Sequence, residues 1–370
     1  MVQISNIPNI PNVPKKRVLL FLGAGASAPF GFPTTRQFLA GLKDTLGNTT
    51  LGILLSNLLE VPQIQDVEQL LELLKAVEVF KKHPIRDFVK KFHMSIHLPN
   101  ISNNLSDQMK LMEQLEDKIK SDIFRQYEFS PSSVKDIDAA YGSLIKLISQ
   151  VTTDNELSIF TTNYDRVIEE FCEGNDYLYE DGFKLNPQNN EFEWNSTGFD
   201  KSSKKDFCIK LYKLHGSLNW RRRYDLQVVK VSPEERTRGT KRYRENLLIY
   251  PAEKLTNEVE RILDPEKEPF GEIHIRFRKM FKKSDIAIFI GFNFRDEYVN
   301  EIIGTEREGK TIIIISPHAY RIRYPCLIER VNLLLVYQLL HLLLQITTLT
   351  YLLLKYRSSN GGNVIKYGTV

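Results

Sequence analysis

The sequence predicts an α/β protein, a Rossmann-like parallel sheet that carries a helical insertion. Three observations point there. Short apolar runs recur at VLLFL, LSIFTTNY, FCIKLYKLHG, LLIY, DIAIFIGF and KTIIIISP. Helical segments separate several of them, and each run is followed by glycine or polar residues. In such sheets ligands bind in the crevice beyond the carboxyl ends of the strands, so those polar ends become neighbours however distant in sequence.

Each element follows in order. Residues 1–16, MVQISNIPNIPNVPKK, read as an extended arm, because prolines break any apolar run before it reaches signal-peptide length. Val18 to Leu22 is a strand buried on both faces. From about Thr34 to Leu46 the pattern is helical, with Phe38, Leu39 and Leu42 on one side. Residues from about 50 to 128 keep helical periodicity with little strand character, and a further helix runs through DIDAAYGSLIKLISQV. Together they predict a helical insertion at about 50–150 inside a main domain spanning 17–330. RVIEEFCE and the stretch from Glu272 to Lys282 are further helices. The charged segment from Arg222 to Lys241 is expected to be a surface excursion, and so is NPQNNEFEWNSTGFDKSSKKD, rich in turn formers.

Residues 331–370 begin with a leucine-dense run of membrane-spanning length. Asn332, Gln338, His341, Gln345 and Thr348 interrupt it, and Leu335, Leu339, Leu342, Ile346, Leu349 and Leu353 form an apolar seam. A helix buried at a core or subunit interface is favoured over a membrane span, with a homo-oligomer as the consequence.

Composition narrows the function classes. The 370 residues are 42% hydrophobic and 26% charged, ordinary for a soluble globular protein. A formal net charge of +4 makes no strong case for nucleic acid. The clusters at Arg221-Arg222-Arg223 and from Arg236 to Arg244 could touch nucleic acid or an acidic partner; the plainer reading is a solvated loop. Cys172, Cys208 and Cys326 lie far apart with no CxxC pair, so no disulfide framework, structural zinc or other metal is expected, and a reducing cytoplasm is the simpler setting.

The chemistry concentrates at the strand ends. Gly23-Ala24-Gly25-Ala26-Ser27 follows the first strand, and glycines there allow close ligand approach. Exposed amides, with the positive end of the next helix, suit a pyrophosphate. The second run ends in Asn163-Tyr164-Asp165 and the third in His215-Gly216-Ser217. Taken singly, Asn163 and Asp165 read equally as helix caps and His215 as a structural histidine. Their joint occurrence at strand ends of one sheet argues for a site.

These residues carry a resemblance. GAGAS, then GFPTTR, TTNYD, LHGS and GFNFRD, in that order, resemble the NAD-binding core of sirtuins. Gly31, Phe32, Pro33 and Arg36 keep the spacing of the family's GIPDFR-type segment, with Thr34 in place of its aspartate. Thr162, Asn163 and Asp165 fall on its QNID-type segment, with Thr162 in place of glutamine. Deacetylase sirtuins carry two CxxC pairs, and this chain has none. TTNYD and KLHGS with a helical insertion and no zinc ribbon are similar to bacterial sirtuin-like effectors of antiphage defence.

The resemblance implies hydrolysis of NAD to nicotinamide and ADP-ribose. It implies Asn163 near the ribose orienting water, Asp165 holding the nicotinamide carboxamide, and His215 as general base. Gly23, Ala24, Gly25 and Ser27 would hold the pyrophosphate, with Arg36 closing over it and Thr162, Gly291, Asn293 and Ser316 completing the nucleotide site. It also implies NAD as substrate, no metal, and a separately encoded partner such as a HerA-type ATPase. NAD-dependent lysine deacylation and a non-catalytic nucleotide sensor or assembly module are the alternatives.

Overall fold

The computed structural model describes residues 15–71, 73–74, 105–127, 134–200, 206–232, 243–248 and 268–315. Most of the N-terminal arm, the leucine-dense tail, Cys326, Ser316 and all of the second basic cluster except Tyr243 and Arg244 lie outside these residues. The chain divides into two compact units, one of residues 1–32, 130–247 and 257–370, the other of 33–129 and 248–256.

The first unit holds a six-stranded parallel sheet. Its spatial order is β11 (Thr311–Ile315), β10 (Ile286–Ile290), β1 (Val18–Leu22), β2 (Glu156–Thr161), β6 (Cys208–Lys213) and β3 (Leu178–Glu180). β1, β6 and β10 are buried along their whole length, as apolar runs covered on both faces must be. One register row is aromatic: Phe289, Phe21, Phe160 and Tyr212 lie side by side across four strands. Phe277 reaches this row edge-on from a helix, its ring 5.5 Å from Phe21 and 5.1 Å from Phe160. Such pairs add about 0.5–1.5 kcal/mol each beyond area burial.

The helices described from end to end are α1 (Ala24–Ser27), α2 (Thr35–Leu46), α3 (Thr50–Leu58), α4 (Leu105–Tyr127), α5 (Val134–Val151), α6 (Val167–Gly174), α7 (Phe270–Lys283) and α8 (Glu297–Glu306). Those between β1 and β2 agree with the helical periodicity. α2 starts at a capping box in which Thr34 and Gln37 satisfy each other's orphan groups. α2, α3 and α4 belong to the second unit, and α5 groups with the first. Among the described residues no helix is long and apolar enough to cross a membrane.

A second sheet was not foreseen. Its order is β4 (Phe183–Asn186), β5 (Glu191–Trp194), β8 (Val228–Lys230), β7 (Gly216–Arg223) and β9 (Tyr243–Leu248), antiparallel where β4, β5, β8 and β7 pair. It corrects two expectations. The turn-rich stretch from residue 186 contains β5 and is not merely a surface excursion. Arg221 and Arg222 are not a solvated loop either. They are buried in β7, donating to the carbonyls of Leu218 and Trp220 and of Leu226 and Glu268. Arg223 is ion-paired with Glu191, Glu193 and Asp225. That cluster therefore lacks the open guanidinium face a phosphate backbone requires.

Candidate active site

Strand register brings the candidate residues to one edge. Leu22 pairs with Thr161 on one side and Ile290 on the other, and Thr161 pairs with Lys213. The residues that follow, Gly291, Gly23, Thr162 and Leu214, leave the sheet side by side. Strands lie about 4.8 Å apart, so the chain carrying His215 emerges roughly 10 Å from the glycine turn.

The glycines first serve packing. Gly23 N–H donates to Ile290 O and Gly25 N–H to Gly291 O, both at 2.9 Å. A Cβ on Gly25 would fall 2.8 Å from Gly291 Cα. Gly291 has φ +61°, and a Cβ there would fall 2.2 Å from Ala26 N. The ends of β1 and β10 thus close on each other through backbone, and two amides expected to face an anion are committed to carbonyls. The helix opened by Ala24 is a single turn running into a 3-10 turn at Ala28–Phe30, so its positive end is weaker than expected.

Asn163 belongs to this turn and caps no helix. Its Nδ2 donates to Gly23 O at 3.0 Å and to Ser27 Oγ at 2.9 Å, while its own N–H donates to Thr161 Oγ1. Thr162 N–H reaches Leu22 O. Asp165 differs. Its carboxyl group is buried, Oδ1 accepts from Val167 N–H at the start of α6, and Oδ2 has no hydrogen-bond partner. Burial pushes its pKa up, against the opposing pull of Lys213 and the Ser27 hydroxyl. The capping role read from the sequence therefore fails for both: the N-cap of α6 is Arg166, and Asp165 closes a tight turn just ahead of it.

His215 gains a partner that sequence reading missed. Its Nε2 lies 2.9 Å from Asp296 Oδ2, and Asp296 Oδ1 caps α8 by accepting from Val299 N–H at 2.9 Å. Burial alone would raise the Asp296 pKa, but the hydrogen bond and charge of His215, with Val299 N–H, hold it at about 2. A carboxylate only accepts, so Nε2 carries a proton, and when the ring is neutral Nδ1 is its acceptor. An imidazole oriented this way is suited to accept a proton. Asp296 was within sight in GFNFRD, where the sole signal was an acidic residue ahead of a helical pattern.

Lys213 and Glu169 were also missed. They form a buried ion pair at 3.0 Å, and Lys213 Nζ further donates to the carbonyls of Tyr164 and Asp165. A cavity of about 10 Å³ has a mixed lining, with Asn163, Asp165 and Lys213 beside Leu22, Ile168 and Leu211, and its size is close to the roughly 10–15 Å³ a single water needs.

Two further residues named from the sequence are exposed. Asn293 is exposed and accepts from Arg295 N–H. Arg36 is exposed on the first turn of α2, in the second unit. Among the described residues no cluster of three His, Cys, Asp or Glu side chains could hold a metal ion. Cys172 and Cys208 are free and buried, and burial pushes both thiols up, Cys208 to about 11.

Residues 157–311 match a family described as the SIR2-like domain. The match contains Asn163, His215 and Asp296 and leaves the glycine turn outside. Curated proteins give no match. Two solved structures are similar. One is the crystal structure of a Sir2 homologue in complex with NAD, at TM-score 0.37 and 15% identity, covering 81% of this chain and 77% of that one. The other is a mutant of Sir2 homologues in complex with 2'-O-acetyl ADP ribose, at TM-score 0.37 and 14% identity, covering 81% and 80%.

Proposed function

We propose that the chain cleaves the nicotinamide–ribose bond of NAD with water, giving nicotinamide and ADP-ribose. The observation that carries the reading is the strand register: the glycine turn with its bonded Asn163 amide, and the segment of the His215–Asp296 pair, follow the carboxyl ends of the successive strands β1, β2 and β6. The SIR2-like match over residues 157–311 supports an NAD-using site.

The bond breaks with positive charge developing on the ribose, as in other glycosidic cleavages. Nicotinamide leaves as a neutral base, so no general acid is required. Asn163, held by Gly23 O and Ser27 Oγ, orients the attacking water. His215 takes the proton at Nδ1, directly or through a ribose hydroxyl, while Asp296 steadies the ring and the imidazolium that forms. Gly23, Ala24, Gly25, Ser27, Thr162 and Gly291 line the pyrophosphate side. Asp165, buried and bonded to Val167 N–H, acts by shaping the turn; holding the carboxamide would require it to turn outward. The proposed setting is NAD depletion in bacterial antiphage defence, by a homo-oligomer working with a separately encoded partner.

The test incubates the purified chain with NAD and follows nicotinamide, with and without an acetyl-lysine peptide. Release without peptide supports hydrolysis. Release only with peptide replaces it by deacylation, and no release in either case, with His215 intact, overturns the reading. Light scattering on the same sample tests the oligomer.

A further inference from the structure

We infer that Lys213, neutralised by Glu169, is a positioning residue that sets the Asn163–Tyr164–Asp165 turn against the His215 segment; the inference deepens the proposed reaction and rests on it. Lys213 is the last residue of β6 and stands two positions before His215. Its side chain is 1% exposed and that of Glu169 5%. An ammonium so deep in protein costs several kcal/mol unless its protons all find acceptors. Here three protons meet three acceptors: Glu169 Oε1 at 3.0 Å, Tyr164 O at 3.4 Å and the Asp165 carbonyl.

Stability does not require such a pair, since apolar side chains of similar volume often serve a core as well or better. An ammonium does what a methionine cannot: it grips two consecutive carbonyls of the turn that bears Asn163. The same turn is laced to the His215 segment elsewhere. Tyr164 O also accepts from Leu218 N–H at 3.2 Å and Ser217 Oγ at 3.4 Å, and Thr161 O accepts from Leu214 N–H at 2.8 Å. Beside the turn lies the small cavity, where Asp165 Oδ2 is buried without a hydrogen-bond partner. The cavity is unfilled space beside the turn, so losing the ammonium leaves the turn room to move.

The experiment compares K213M, the double variant K213M/E169M and K213R with the wild-type chain. K213M strands a buried carboxylate and lowers the melting temperature, and E169M restores it by completing an apolar replacement. Nicotinamide release from NAD separates positioning from stability. In the double variant kcat stays about 10- to 100-fold low, the scale of an ångström misplacement. KM stays within about threefold, because the loss falls on the transition state. K213R recovers part of kcat by restoring donors to the carbonyls. A double variant with both wild-type stability and wild-type kcat overturns the inference. A second readout needs no turnover: the Asn163 side-chain amide resonance shifts in both methionine variants, and an unshifted resonance also overturns it. If the wild-type chain releases no nicotinamide, the proposed reaction fails, and the amide resonance alone decides the role of Lys213.

Discussion

Replacing Asp296 by asparagine tests the site at its most specific contact. The substituted side chain would keep the shape and the cap, because an amide oxygen still accepts from Val299 N–H and asparagine caps helices as well as aspartate. The other oxygen becomes an NH2 that points a donor at His215 Nε2. The ring must then present Nε2 as acceptor and carry its proton on Nδ1, which removes the base. Its electrostatic cost can be bounded. A carboxyl drawn from 3.8 to about 2 is favoured by about 2.5 kcal/mol, at about 1.4 kcal/mol per tenfold. Part of that belongs to the Val299 bond, which survives, so D296N loses about 1–2 kcal/mol of the 5–15 kcal/mol typical of a folded domain. The melting temperature falls by only a few degrees. Losing a general base costs about 10²–10⁴ in rate. Nicotinamide release and thermal unfolding of one preparation therefore diverge, with turnover nearly abolished in a folded protein. Wild-type kcat in folded D296N would refute both the tautomer and the assignment of His215 as base.

The other predictions follow from the same contacts. N163A removes the donor to Gly23 O and Ser27 Oγ; it costs about 1–2 kcal/mol in urea unfolding and lowers nicotinamide release about 100-fold or more. G291A, at φ +61° with its Cβ 2.2 Å from Ala26 N, unfolds at markedly lower urea, by about 2 kcal/mol or more. G304A, in α8 with nothing within 4 Å of its Cβ, gains about 0.8–1 kcal/mol in the same measurement. Asp296 is depressed in the folded state, so its contribution is fully present above the unfolded carboxylate range and is lost as pH falls from about 4 through about 2. The urea-midpoint gap between wild type and D296N is accordingly wide at pH 6 and closes toward pH 2.

Much of the parallel sheet was legible because β1 and β10 are unbroken apolar runs closed by glycine, as strands covered on both faces are. The antiparallel sheet was not. FKLN, EFEW and VVK are short and mix polar with apolar residues, and Arg221 and Arg222 look like solvent-facing charge until backbone carbonyls receive them. Within the site, Asn163 and His215 stood out because each follows a strand. The glycine turn was legible as a turn, but its reason lay in Gly291, whose backbone it meets across a long loop of chain. Asp296 resembled any acidic residue opening a helix, and its histidine lies 81 residues earlier. Lys213 sat in a run interrupted by two lysines, a residue that normally faces water, and nothing local reveals that β6 is covered on both sides.

The central position of β1 governs how the molecule is made. Its two neighbours arrive late, one bonded across 139 residues and the other across 268. A chain emerging from the ribosome must carry VLLFL with both edges bare until β2 appears, and with one edge bare until β10 does. Closures over such distances are slow, and an open apolar strand invites pairing with other chains. Protein stopped short of residue 286 is therefore expected to collect in the insoluble fraction, because only the late arrival of β10 seals a strand synthesised long before it.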